Sequence, residues 1–315
     1  MLQFLGRRLL VLIPILLGVS ILSFLLLYLI PGDVVDILMG TESGDPARLA
    51  EMRKLFGLDR PLPVRYVQWL GEVVHGDLGR SFVTRRPVTM EILTAFPVTL
   101  QLAGAALLVA LIVGIPLGVY AAVKRGGATS AGLSVFVLLG LSIPNFWLGI
   151  LLILFASLYL HWFPPQGLNL IWQQPVETVK QLAFPSLALG IAMAAMVMRM
   201  TRACVLEVLA QEYVRTARAK GLAERLVLGR HALRNALIPV VTLIGLQFGY
   251  LLGGTIVIEE IFSLPGMGRL VLRSIAQRDF PLVQGILLLG GASVVLLNLC
   301  IDVCYAALDP RLRRR

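Results

Sequence analysis

Charge is scarce in this sequence. Only 15% of its 315 residues are Asp, Glu, Lys or Arg, where a soluble domain carries about 25%. Acid is scarcer than base, with 18 Asp and Glu against 28 Lys and Arg. Cysteine is almost missing. Cys204, Cys300 and Cys304 follow no metal-ligand spacing, and three cysteines make no disulfide scaffold. The three histidines, His75, His161 and His231, lie in separate segments and form no ligand set on sequence grounds. The sequence has no phosphate-binding G-x-x-x-x-G-K-[ST] loop, no G-x-S-x-G turn and no H-E-x-x-H pair. These absences predict a chain that binds neither ATP nor metal and holds no catalytic residue.

What the sequence has in excess is apolar. Hydrophobic residues make up 57% of it, and mean hydropathy is +0.84. That excludes an ordinary soluble enzyme and a disordered chain, and leaves an integral membrane protein. The net charge of +10 would suggest nucleic acid in a soluble protein. In a membrane protein the same excess reports topology.

Charge-free runs locate the spans, each needing about 20 residues of helix. They predict six transmembrane helices, at 9–30, 98–123, 132–160, 182–202, 236–258 and 281–306. The first run is too long for a signal peptide and lacks a small-residue cleavage site, so it reads as an uncleaved span. The uncharged stretch from Gly126 to Val176 reads as one helix, because Pro164-Pro165 marks a turn too close to Glu177 for a second. Sorted by side, 16 basic and 5 acidic residues fall with the termini and the 199–235 loop. The other side holds 12 basic and 13 acidic residues. The basic side is expected to face the cytoplasm, which places both termini there in a multi-pass protein of the cytoplasmic (inner) membrane.

The expected organisation is a first span (1–30), an outer segment (31–97), a core of five spans (98–308) and a basic tail (309–315). In the outer segment, Asp45-Pro46 and Gly57 bracket a short helix at 46–56. A second helix starts near Pro63, with Val64, Val67, Leu70, Val73 and Val74 on one stripe. Acidic groups are missing from the spans apart from Asp302, and the bases within the span bounds, Arg199 and Arg202, sit at one span's end, which disfavours a proton- or sodium-coupled carrier working alone.

The cytoplasmic loop at 203–235 concentrates charge with small residues. Its run Glu212-Tyr213-Val214-Arg215-Thr216-Ala217-Arg218-Ala219-Lys220-Gly221 reads as a short helix broken at Gly221, with a second helical piece from Leu222 to Leu237. Ala217 beside Gly221 would let another protein approach closely, and Arg218, Lys220 and Arg225 could pair with its acids. A basic loop holding membrane-lipid phosphates is the plainer alternative.

This loop resembles the coupling loop of ABC-importer permeases, with pattern Glu-Ala-Ala-x3-Gly-x9-Ile-x-Leu-Pro. Ala217, Gly221 and Leu233 match it, while Arg215, Thr216 and Arg234 depart from it. The departures are those of the peptide/nickel subfamily, which YVRTARAKGL and HALRNALIPVVT resemble. LIPGD, LFGLDRPLPVRYVQWL, HGDLGRS, EEIFSLPGMGRL, RDFPLVQG and DVCYAALDPRLR extend the resemblance over the chain.

The resemblance implies an all-α type I ABC-importer permease subunit, paired with a second permease in a heterodimer. Two cytoplasmic ATPase subunits, which would hold the ATP and Mg, would dock on Glu212, Tyr213, Arg215, Thr216, Ala217, Arg218, Lys220 and Gly221. An extracytoplasmic binding protein would deliver substrate. TRRPVTMEI and GLQFGYLLGGTIVIEE are most similar to dipeptide, oligopeptide and glutathione members; a nickel or other small-solute importer is the alternative. Polar residues within the spans, Gln101, Ser142, Asn145, Gln247, Tyr250 and Asn298, either line a pathway or hold helices together. Pro116 and Pro144 are expected to loosen their helices locally.

Overall fold

The computed structural model describes residues 2–29, 60–124, 127–161 and 167–308, and every element in them is helical. In order these are α1 (Leu2–Leu29), α2 (Leu62–Val74), α3 (Val88–Val123), α4 (Gly127–Ser142), α5 (Asn145–Leu160) and α6 (Pro175–Leu209). Then come α7 (Glu212–Ala219), one turn at Glu224–Leu226, a π-helical stretch Val227–Leu233, and α8 (Arg234–Gly254). The chain ends in α9 (Ile256–Ile261), α10 (Met267–Ala276) and α11 (Phe280–Leu308). The expected helix at 46–56 and the basic tail lie outside the described residues.

Four described helices are long and apolar enough to cross a membrane: Val88–Val123, Pro175–Leu209, Glu224–Leu251 and Phe280–Ile301. The α4–α5 pair makes a fifth if it counts as one span. The described apolar stretch of α1, Leu10–Leu25, is shorter. Among the described residues four or five helices thus meet the length and hydropathy of a span, where the sequence reading expects six.

The third expected span needs correction. It is two helices meeting at 104°, not one helix over 132–160. The cause is local. Proline disfavours helical dihedrals in the residue before it, here Ile143, and Pro144 sits extended (ψ 135°) as the cap of α5. Pro116, by contrast, lies within an uninterrupted α3. The piece expected to run from Leu222 into the fifth span is likewise not all α, because Val227–Leu233 is π-helical.

The chain divides into two units, residues 1–96 with 269–299, and residues 97–268 with 300–315. In the first, α2 lies against α1. Ser20 donates to the Leu17 carbonyl (2.8 Å), so the Tyr66 hydroxyl donates to Ser20 Oγ (2.7 Å). Phe24 stands edge-on to Tyr66, with ring centroids 5.5 Å apart, and 5.6 Å from Trp69. The aromatic side of α2 thus faces α1. Val64, Val67 and Val74, expected on its apolar stripe, are exposed. Asp279 ties two loops of this unit by accepting from Ser81 Oγ and from the Phe82 amide (3.0 Å).

The second unit is built around α6, which buries Leu182, Leu189, Ala194, Val197 and Val205. Helix α3 approaches it through Gly114 and Gly118, spaced as small-x-x-x-small. A Cβ at either would sit within 3 Å of α6 atoms, on Ala194 and Val197 or on Met198 and Thr201. Between helices in lipid, such close backbone contact supplies dispersion where the hydrophobic effect cannot.

Candidate functional site: the coupling helix and the cavity at the broken span

Two sites lie within the second unit. The first is α7. Glu212 stands in its first turn and Arg218 in its last, each at the end the helix dipole favours. Val214 and Ala217 are buried and pack with Val227 of the π-helical stretch, against Val208 and Leu209 of α6. Ala217 therefore faces its own chain. The face left outward carries Tyr213, Thr216 and Lys220, all exposed. Tyr213 is oriented by the Asn235 amide, which donates to its hydroxyl (3.0 Å).

Helix α7 stops by a Schellman arrangement. The Gly221 amide donates to the Arg218 carbonyl (2.9 Å), the Leu222 amide to the Ala217 carbonyl (3.4 Å), and Gly221 takes φ +76°.

The charges of α7 are already engaged within the chain. Arg215 donates to Glu212 at 3.1 Å. Arg218 forks onto Glu224, with Nε at 3.1 Å from one oxygen and a terminal nitrogen at 2.6 Å from the other. Arg218, expected to reach a partner's acid, thus clasps α7 to the turn that follows. A cavity of about 480 Å³ opens beside the clasp, lined by Val123, Leu209, Arg215, Arg218 and Glu224. The hydrogen bond from Arg218 holds the Glu224 carboxyl below its usual range and raises the guanidinium. The folded carboxyl is the stronger acid, so the clasp's contribution is present above the ordinary glutamate range and lost as pH falls through the folded value.

The second site is the α4–α5 break. A cavity of about 290 Å³ opens there between the break, α6 and α8. Of the six polar residues read as pathway candidates, three line it: Asn145, Gln247 and Tyr250. The Gln247 amide donates to the Met196 sulfur. Ser142 ends α4, exposed at the same break but off the cavity wall. Gln101 is used as glue: its amide donates to the Pro97 carbonyl (3.2 Å) and its oxygen accepts from the Ile171 amide (3.0 Å). Asn298 belongs to the first unit, exposed on α11. Met193 and Met196, not singled out in the sequence, line the wall from α6.

Glu259 was also missed, having been counted as an outer-face charge. It is fully buried. Thr99 Oγ donates to one carboxylate oxygen (2.7 Å) and the Gly268 amide to the other (2.8 Å), while the Met267 amide donates to Thr99 (2.8 Å). The run Pro265-Gly266-Met267-Gly268 is a turn wrapped around this carboxylate.

Long apolar helices packed through glycine, with a short charged helix presented at one break, define the class as a polytopic membrane protein. Two family descriptions divide the chain. Residues 114–314 match the binding-protein-dependent transport system inner membrane component, and residues 1–103 match the N-terminal component of such systems. The chain belongs to this family of ABC-importer permeases, multi-pass proteins of the inner membrane.

It is 43% identical to the di/tripeptide transport system permease protein DppB of Pseudomonas aeruginosa, over 100% of both chains. It is 44% identical to the glutathione transport system permease protein GsiC of Pectobacterium atrosepticum, over 99% of both. The fold resembles a chain of the MetNI methionine ABC transporter in an inward-facing conformation, with TM-score 0.56 and 19% identity, over 70% of this chain and 97% of that one.

Proposed function

We propose that this chain is the membrane-spanning subunit through which an ATP-driven importer moves di- or oligopeptides, glutathione among them, into the cytoplasm. The observation that carries the reading is α7: a short helix seated on its own small apolar core, stopped by a left-handed glycine, with one charged face outward. It is the shape of a handle that a separate ATPase can push. Counting α1 as the first span and the α4–α5 pair as one gives six spans; cytoplasmic termini, a heterodimeric partner permease, two ATPases and an extracytoplasmic binding protein complete the assembly. The peptide passes Asn145, Gln247 and Tyr250, while closure at α7 reaches the bundle as a rigid-body movement through the π-helical stretch and α8.

The test is reconstitution. With its partner subunits in proteoliposomes, the permease should raise the ATPase rate when peptide-loaded binding protein is added. Peptide uptake without any ATPase subunit would overturn the reading. Stimulation by a nickel-loaded binding protein but not a peptide-loaded one would turn it to the nickel alternative.

The Arg218–Glu224 clasp gives a finer prediction. Arg218→Glu sets two carboxylates face to face and should weaken co-purification of the ATPase subunits. The swapped pair, Arg218→Glu with Glu224→Arg, should restore it if the clasp positions α7. No restoration would mean that Arg218 itself meets the partner. Binding should not change between pH 8 and pH 5 on account of Glu224, whose carboxyl titrates below the ordinary range.

A further inference from the structure

We propose that the cavity at the α4–α5 break is a subsite for one uncharged side chain of the transported peptide. This rests on the pathway reading above and adds to it what the cavity admits.

Size comes first. At about 290 Å³ the cavity lies at the lower edge of the ~300–1,000 Å³ range of pockets for drug-sized ligands. It has room for one amino-acid side chain and its peptide group, not for a folded-up oligopeptide. Chemistry comes next. None of its lining residues carries a charge. A lysine or glutamate side chain entering it would lose its hydration without gaining a counter-ion, which is costly. An aliphatic or aromatic side chain would lose only water that Leu141, Leu189 and Met193 hold poorly.

The two methionines matter for tolerance. Thioether side chains are unbranched and polarisable and re-form around differently shaped guests. A wall built from Met193 and Met196 therefore accepts leucine, phenylalanine or tryptophan where a branched wall would select one of them. The polar side of the cavity suits the peptide backbone. Gln247 spends its amide on a sulfur, which is a weak acceptor. A substrate carbonyl is a better acceptor and displaces it at little cost. Tyr250 is 74% exposed at the mouth, where its hydroxyl can meet the same backbone.

Ala192 sets the experiment. It is half-buried and lines the cavity, so Ala192→Phe fills it, while Leu141→Ala enlarges it from an exposed position. The assembled importer with its binding protein is reconstituted, and uptake of Ala-Leu and Ala-Trp is read relative to Ala-Ala. A step in side-chain size at an apolar pocket is worth about 10–200-fold in discrimination. Ala192→Phe should lower the Ala-Trp to Ala-Ala ratio by about tenfold or more, and Leu141→Ala should raise it. Ratios unchanged in the enlarged variant would overturn the subsite, and that variant keeps the test open if Ala192→Phe does not assemble.

The pathway reading is checked separately. Tyr250→Cys, in a background carrying Cys300→Ser and Cys304→Ser, should react with a hydrophilic maleimide during turnover, and Ala-Leu should protect it. Labelling with unchanged uptake ratios fails the subsite alone. No labelling fails the pathway reading and the subsite with it.

Discussion

Gly221→Leu should leave the permease in the membrane and break the link between ATP hydrolysis and uptake. The reason is backbone, not space. A Cβ at this position would meet nothing within 4 Å, so the side chain itself fits. But φ is +76°, and an L-residue held there costs roughly 1–2 kcal/mol. Relaxing that strain means giving up the two closing hydrogen bonds of the Schellman stop, and with them the direction in which the chain leaves α7. The helix would still pack through Val214 and Ala217, so folding survives while the handle changes angle. In proteoliposomes, uptake per ATP hydrolysed should fall by at least an order of magnitude. Gly221→Asn should retain more, because asparagine tolerates the left-handed region better. Wild-type uptake by the leucine variant would remove the coupling assignment.

Gly266→Ala should be worse for the protein as a whole. An added Cβ would overlap the Glu259 carboxylate, and a buried carboxylate has nowhere to go. Displacing it breaks the hydrogen bonds from Thr99 and the Gly268 amide, each worth about 1.5–3 kcal/mol because the acceptor is charged. Thr99→Val should produce part of the same loss, since Thr99 both donates to Glu259 and accepts from the Met267 amide. The expected readout is thermal unfolding of the detergent-solubilised complex, lowered by about 10 °C or more for Gly266→Ala. An unshifted transition would show that the turn is not held by this carboxylate.

The contrast between these two glycines explains what the sequence could and could not reveal. Gly221 was legible because its signal is local: a glycine after a charged helix with small residues is a stop. Gly266 was not, because what it faces lies seven residues away across a turn. Counting charges by side of the membrane treats every ionisable group as solvated, and that assumption hides a buried Glu259. The bend at Pro144 was in the sequence as a proline, but charge-free runs measure only length, and a run of apolar residues has no direction. Ala217 was read as open because it is small, whereas its burial follows from sharing a face with Val214, three residues earlier on the same helix. Of the pathway candidates, Asn145, Gln247 and Tyr250 converge because the break turns the start of α5 toward α8. Gln101 is equally polar and equally apolar in its neighbours, yet the Ile171 amide claims it, and no periodicity foretells that.

The π-helical stretch has one more consequence. A π turn holds one residue more than an α turn, so each side chain beyond Leu233 sits about 100° around the axis from where an unbroken α-helix starting at Glu224 would put it. That rotation sets the compass bearing of Gln247 and Tyr250, four turns further along. In effect one surplus residue, beside the handle, aims the wall of the cavity at the α4–α5 break. A deletion there would mend the helix and turn its polar groups away.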